Sequence, residues 1–182
     1  MIAPSKEKVD PRKFPNQPYV GLEHVEAHTM RVLSHGRGGD VESTKSTFMK
    51  GDVLYGKLRP YLNKVAQPDF DGICSTDFLV FRESKHLERD YLAQYLNQVW
   101  IVEAATQASR GVQLPRINWE FLANLPVSFP ADKSAQHVIA GVLRKIRGRQ
   151  SDAQQHLVAA RRAVDEFRKS VLVAACSGRL RS

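Results

Sequence analysis

Residues Ile139 to Ala174 read IAGVLRKIRGRQSDAQQHLVAARRAVDEFRKSVLVA, a stretch without proline. From Ile139, alternating steps of four and three residues reach Leu143, Ile146, Gln150, Ala153, Leu157, Ala160, Val164, Phe167, Val171 and Ala174, and all of these except Gln150 are apolar. A helix whose apolar residues recur every 3.5 positions keeps them on one side, and a seam sustained this long is a coiled-coil signature. At 1.5 Å per residue the stretch predicts a rod of about 54 Å. Such a helix cannot bury its seam alone and requires a partner. Gly148 is a weak point, at about 1 kcal/mol relative to alanine.

The charge follows the same division. The chain of 182 residues carries 27 Lys and Arg against 19 Asp and Glu, a net charge of +8. Sixteen residues of each sign lie before Lys133, whereas the last fifty residues hold eleven basic residues against Asp152, Asp165 and Glu166. The whole surplus therefore sits on the helical part, which points to an anionic partner, nucleic acid or an acidic protein face. No run approaches the roughly 18 apolar residues of a membrane span, and MIAPSKEKVDPRKFP has no apolar core behind its basic residues. A cytoplasmic protein without a membrane partner is expected. Cys74 and Cys176 are too few for a disulfide framework and are read as reduced thiols.

Before the helix, residues 1–16 carry Pro4, Pro11 and Pro15 and read as an N-terminal arm. Tyr19 to Val25 reads as a short strand, and His28 to Phe48, with Gly36, Gly38 and Gly39, as a loop-rich stretch. Lys50-Gly51-Asp52 is a turn before the strand Val53-Leu54-Tyr55. After a second turn at Asp69 to Gly72, the segment Ile73 to Arg82 holds the continuous run Phe78-Leu79-Val80-Phe81 of a buried strand. Leu87, Tyr91, Leu92, Tyr95, Leu96, Val99 and Val102 recur at helical steps and predict one helix from Leu87 to Ala108. A break at Ser109 to Pro115, a helical turn at Asn118–Ala123 and a strand at Leu125–Phe129 close the module. The boundaries are an arm at 1–16, a β-rich domain with helices at 17–132 and a long helical region at 133–182.

Three patterns suggest chemistry. His24 and His28 stand four apart, but the glutamate between them is Glu26, the third position, so the His-Glu-x-x-His zinc pattern is not met and solvent-facing histidines are expected. Asn16-Gln17-Pro18-Tyr19 resembles the Asn-Pro-Pro-Tyr motif of adenine methyltransferases with one proline replaced, yet no Gly-rich cofactor loop accompanies it; a polar turn is expected. Pro68-Asp69 followed by Glu83-Ser84-Lys85 has the order of a nuclease site in which Asp69, Glu83 and Lys85 would hold Mg²⁺ and activate water. The competing reading is a turn and a charged strand end, and the nuclease is kept as the alternative function. No nucleophile elbow, phosphate loop or dinucleotide fingerprint is present, so no cofactor and no resident metal are expected.

Two loops combine cations, amides and phenols. Tyr55 to Lys64 includes Lys57, Arg59, Tyr61, Asn63 and Lys64, and Ser109 to Asn118 includes Arg110, Gln113 and Arg116. Arginine pairs with guanine, amides with adenine and lysine with phosphate, so these are the side chains of a DNA reader, although a single cation is as easily a solvated surface residue.

At these loops the chain becomes recognisable. Phe48 to Val65 (FMKGDVLYGKLRPYLNKV), Gly72 to Val80 (GICSTDFLV) and Gly111 to Asn118 (GVQLPRIN) resemble the target recognition domain of type I restriction-modification specificity subunits. The likeness continues through Leu125-Pro-Val127, Gln136 to Ala140 (QHVIA) and the closing Ser170 to Leu180 (SVLVAACSGRL), so it spans about residues 17–180. The resemblance implies an α+β (α/β) target recognition domain followed by a long C-terminal coiled-coil-forming α-helix. It also implies a DNA-reading subunit without catalysis of its own. In that family two recognition domains each read half of a split target, and two long helices pack antiparallel to hold them apart. Such subunits dock on methyltransferase subunits, and a translocating restriction subunit can join.

This sequence departs by carrying one recognition domain and one helix, with a short entry before Tyr19. A second copy, paired through Ile139, Leu143, Ile146, Leu157, Val164, Phe167 and Val171, is therefore the expected partner alongside double-stranded DNA. An antiparallel pair of rods of about 54 Å would then act as a ruler on the DNA. The expected DNA-binding residues are Lys57, Arg59, Tyr61, Asn63, Lys64, Arg110, Gln113 and Arg116, with His35, Arg37, Lys45 and Ser46 of the 35–46 loop as base readers.

Overall fold

The computed structural model describes residues 3–109 and 114–177. In chain order the elements are β1 (Lys8–Val9), β2 (Pro18–Val20), β3 (Gly36–Arg37), β4 (Lys45–Phe48), β5 (Val53–Gly56), β6 (Val65–Ala66), β7 (Gly72–Cys74), β8 (Phe78–Phe81), α1 (Arg89–Leu96), α2 (Val99–Ala108), α3 (Trp119–Ala123) and α4 (Lys133–Cys176). Short 3-10 turns at Pro11–Lys13, Leu22–His24, Gly38–Asp40 and Pro60–Leu62 join them. The chain divides into two units, residues 1–140 and 141–182.

Within the first unit the described strands form two sheets. One has the order β1-β4-β7-β2-β3, antiparallel except for the parallel pair β2 and β7, and the other has the order β6-β5-β8. Strand alternation explains why the second sheet reads as uninterrupted apolar sequence. Val53 and Tyr55 of β5 and Leu79 and Phe81 of β8 join one cluster with Leu92, Leu96, Ile101 and Leu122 of the helices. Their neighbours Leu54, Phe78 and Val80 join a second cluster with Val20, Phe48 and Cys74 of the larger sheet. A strand buried on both faces has no polar side to show. Burial also pushes the Cys74 thiol up to about 12, so it stays protonated and inert.

Several expectations are corrected here. The lead-in is built into the sheet: Lys8 and Val9 pair with Ser46 and Lys45, and Glu7 takes a two-pronged ion pair from Arg82 at 2.7 and 2.9 Å. The Arg82 guanidinium and a hydrogen bond from Thr47 hold the Glu7 carboxyl down at about 2. The stretch read as loop-rich contains β3 and β4, because neighbours distant in sequence supply ladder partners that no local pattern reveals. Gly38 is needed there, since a Cβ would strike the Phe14 carbonyl. The strand expected from Tyr19 to Val25 stops at Val20, and His24 closes the following turn by accepting the Gly21 amide on Nδ1 at 2.9 Å. Gln17 and Tyr19 of the Asn-Gln-Pro-Tyr motif are likewise structural, with Gln17 accepting the Gly38 amide and Tyr19 lying in β2.

The single helix expected over Leu87 to Ala108 is two. Asn97 and Gln98 interrupt it, and the frame shifts so that Ile101 and Ala105 are buried while Val99 is 72% exposed. Leu125–Phe129 forms no ladder either. Its carbonyls are taken by side chains instead, with the Tyr95 hydroxyl donating to Pro126 at 2.6 Å and that of Tyr91 to Ser128 at 3.0 Å.

The long helix begins at Lys133, where the sequence places it. Gln136, fully buried, fixes this start by accepting the Glu88 amide at 2.8 Å and donating to the carbonyls of Pro130 and His86 at 2.7 and 2.9 Å. Beyond Gly141 the described residues are those of α4 and the turn at Ser177 that ends it. Its seam is open, with Leu157 71% and Phe167 69% exposed, and Ile146, Val164 and Val171 also uncovered. No described helix is long and apolar enough to cross a membrane.

Candidate nucleic-acid interface

The two loops singled out from sequence are brought together. Leu58 and Arg116 form an antiparallel bridge, the Arg59 amide donates to the Pro115 carbonyl at 2.7 Å, and the Ile117 amide to the Lys57 carbonyl at 3.1 Å. On the other side the Lys57 amide donates to the Asp77 carbonyl at 2.8 Å. The backbone that carries Lys57, Arg59 and Arg116 is thus hydrogen-bonded on both flanks.

The electrostatics of this group are local. Arg116 pairs with the Asp77 carboxylate at 2.7 Å, with about half of its side-chain surface exposed. Burial first, then the neighbouring Arg116, lowers the Lys57 ammonium below the usual lysine range. A phosphate placed here would restore the balance, because an anion favours the protonated amine.

The Pro60–Leu62 turn displays Arg59 and Tyr61. Both turn ends are left-handed, Arg59 at φ 50° and Asn63 at φ 44°, a conformation that costs a non-glycine residue about 1–2 kcal/mol. Buried Asn63 holds the turn in place: its amide donates to the Asn97 side chain at 2.8 Å, and its carbonyl accepts the His28 amide at 3.2 Å. The sequence expected Asn63 to meet DNA, but its side chain is enclosed and positions its neighbours instead. Lys64 is tied back as well, its Nζ donating to the Leu22 carbonyl at 2.6 Å.

The 35–46 segment divides in the same way. Lys45 and Ser46 are buried in β4; the Lys45 ammonium is held by the Ser43 carbonyl and hydroxyl, both at 2.7 Å, and lies 5.5 Å from the Tyr19 ring centre. A strand side chain between two paired neighbours is not free to read a base. His35 and Arg37 are exposed, with the His35 ring against Phe70. Among the described residues no hydrogen bond or ion pair joins them to the Lys57–Arg116 group. Arg110 and Gln113 lie outside the described residues.

Nothing among the described residues supports the nuclease alternative. Glu83 is the counter-ion of Lys133 at 2.7 Å and of Arg89 at 3.8 Å, which holds its carboxyl below the usual range. Among the described residues the one group of three or more side chains with metal-ligand spacing is Glu88, Asp90 and His137, and it includes none of Asp69, Glu83, His24 and His28. Sequence reading missed Gln136, Asn97 and Asp77. A buried amide has no signature in a single sequence, and Asp77 is one acid among many.

A profile of the type I restriction modification DNA specificity domain matches residues 4–157. The chain belongs to this family. It is 27% identical over 176 residues to the type I restriction enzyme EcoDI specificity subunit of Escherichia coli, covering 93% of this chain and 38% of that protein. The HsdS subunit from Thermoanaerobacter tengcongensis shares the fold at a TM-score of 0.71, with 23% identity over 94% of this chain and 46% of that one. A chain from a structure of complex assembly and conformational transition of the type I R-M system matches at a TM-score of 0.79. It is 23% identical, and the match covers 96% of this chain and 47% of the other. The chain thus spans less than half the length of these relatives.

Proposed function

We propose that this chain is a DNA sequence-recognition module of a type I restriction-modification assembly, reading one half of a split target and acting without catalysis of its own. The observation that carries the reading is the bridge between Leu58 and Arg116, which sets Lys57, Arg59 and Arg116 on a braced backbone beside the exposed ring of Tyr61. Braced cations near phosphates fix register, and flexible or protruding side chains then read base edges. Lys57, Arg59 and Arg116 take the first role, with Tyr61 beside them. His35 and Arg37, and by sequence position Arg110 and Gln113, take the second. Lys64 borders the site, whereas Lys45, Ser46 and Asn63 shape it from within.

The helix supplies the assembly function. Its seam docks a second helix, which brings the other recognition domain, and the pair directs a methyltransferase subunit, with a restriction subunit as a further partner. A single half-site, with its few phosphate contacts and a neutral recognition unit, gives weak and salt-sensitive binding alone.

Selection of duplexes from a random library, by the purified chain together with its methyltransferase subunit, tests this. One recurring half-site is expected, and it should vanish in the Lys57→Ala/Arg59→Ala double variant. Bound duplexes without a common motif would refute sequence recognition.

A further inference from the structure

Glu88, Asp90 and His137 lie together where α1 and α4 begin, and none of them belongs to the candidate interface. One ligand atom from each, a carboxylate oxygen of both acids and a ring nitrogen of His137, lies within 4.8 Å of the other two. Bonds of about 2.1 Å to one central ion set such atoms about 3.4 Å apart in tetrahedral geometry. A small swing of the exposed His137 ring closes that gap. Direct pairing does not explain the approach, because among the described residues no ion pair joins His137 to Glu88.

The surrounding structure holds the three groups in register. Gln136, the neighbour of His137, is fully buried and bonds the Glu88 amide together with the carbonyls of His86 and Pro130. Ala140, on the following turn of α4, is enclosed as well. Each carboxylate is also oriented from outside the group. Glu88 accepts the Tyr91 amide on Oε2 at 2.8 Å, and Asp90 accepts Nε2 of Gln67 on Oδ1 at 3.0 Å. Outer hydrogen bonds of this kind aim a ligating side chain and decide which lone pairs it offers. The ion pairs of the adjacent cations run elsewhere, from Lys133 to Glu83 at 2.7 Å and from Arg89 to Glu83 at 3.8 Å.

The donor set selects the ion. An imidazole nitrogen with two carboxylate oxygens suits Zn²⁺ and its transition-metal neighbours, whereas Mg²⁺ and Ca²⁺ take oxygen ligands. We infer that Glu88, Asp90 and His137 form a binding site for a divalent transition-metal ion of the Zn²⁺ class, with water completing its coordination, which ties the start of α4 to the start of α1. This replaces the expectation of no resident metal. Glu88 and Asp90 stand far from His137 in the chain, so no spacing motif joins them. The inference does not depend on the DNA-reading role.

Calorimetric titration of the metal-stripped full chain with Zn²⁺ tests it. One ion per chain should bind, the NMR signals of the His137 ring should shift, and a large excess of Mg²⁺ should not displace the ion. His137→Ala and Asp90→Asn, with circular dichroism unchanged, should each weaken binding at least about tenfold. Asp90→Asn keeps the oxygen that accepts from Gln67, so a loss there reports ligation and not packing. Zn²⁺ should raise the melting temperature of the unaltered chain and leave that of His137→Ala where it was. Failure to bind, Zn²⁺ binding that both variants retain, or displacement by Mg²⁺ would each overturn the inference.

Discussion

The two units of this chain treat the same residue types in opposite ways. In residues 1–140, Leu54, Ile73 and Ile101 are fully enclosed, and the cations of the candidate interface are braced by backbone hydrogen bonds. Beyond Gly141, Leu157 and Phe167 stand in solvent, and the basic residues border an empty seam. A leucine in the first unit stabilises the fold, whereas Leu157 in the second stands uncovered. Charge follows the same contrast, because the residues before Lys133 are balanced overall and place their cations locally, while the helix carries the surplus.

The contrast breaks most sharply under core truncation. Leu54→Ala should destabilise the first unit by about 3 kcal/mol, read from urea unfolding, since the lost contacts leave a cavity between the two sheets. Leu157→Ala, measured in the same way on the unpartnered chain, should change stability by less than about 0.5 kcal/mol. A comparable loss at Leu157 would mean that the seam is already covered.

Gln136→Ala should cost about 2 kcal/mol, because it leaves the Glu88 amide and the carbonyls of Pro130 and His86 without their partner. Faster hydrogen exchange at the Glu88 amide would report it. At the interface, Arg59→Ala should weaken binding about tenfold on every duplex, a phosphate-contact signature, whereas His35→Ala or Arg37→Ala should change which duplex is preferred. Uniform losses from all three would remove the division between positioning and reading.

The smallest effect concerns pH. The Glu7 carboxyl has a folded pKa of about 2, below its unfolded value, so the Glu7–Arg82 tie contributes above the ordinary carboxylate range and is lost only as pH falls through about 2. Titration of the Glu7 carboxyl by NMR should show this midpoint, and Arg82→Leu should move it up toward the unperturbed value. Because Glu7 is at the surface, this shift is read as a titration midpoint.

Long-period patterns were legible in the sequence, and pairings across distance were not. The start of α4 at Lys133, the strands at Val53 and Phe78 and the helical turn near Asn118 follow from periodicity and turn residues close together in the chain. The 28–48 region was misread because β3 and β4 are short, and their partners lie at Pro18–Tyr19 and Gly72–Cys74. Both loops of the candidate interface could be named from their cations and amides. Their side chains could not be sorted, since Asn63 and Lys45 match the exposed residues beside them in chemical type and differ only in burial.

By itself, then, the sequence determined the family, the two-part organisation, the seam and the charges beside it, because these depend on spacing along one chain. Tertiary structure alone decided that residues 57–59 lie against 115–117, that Asn63 and Gln136 act as internal braces, and that Arg59 and Tyr61 face outward. Those facts come from hydrogen bonds and packing between segments tens of residues apart, and such partners are chosen only when the whole core closes.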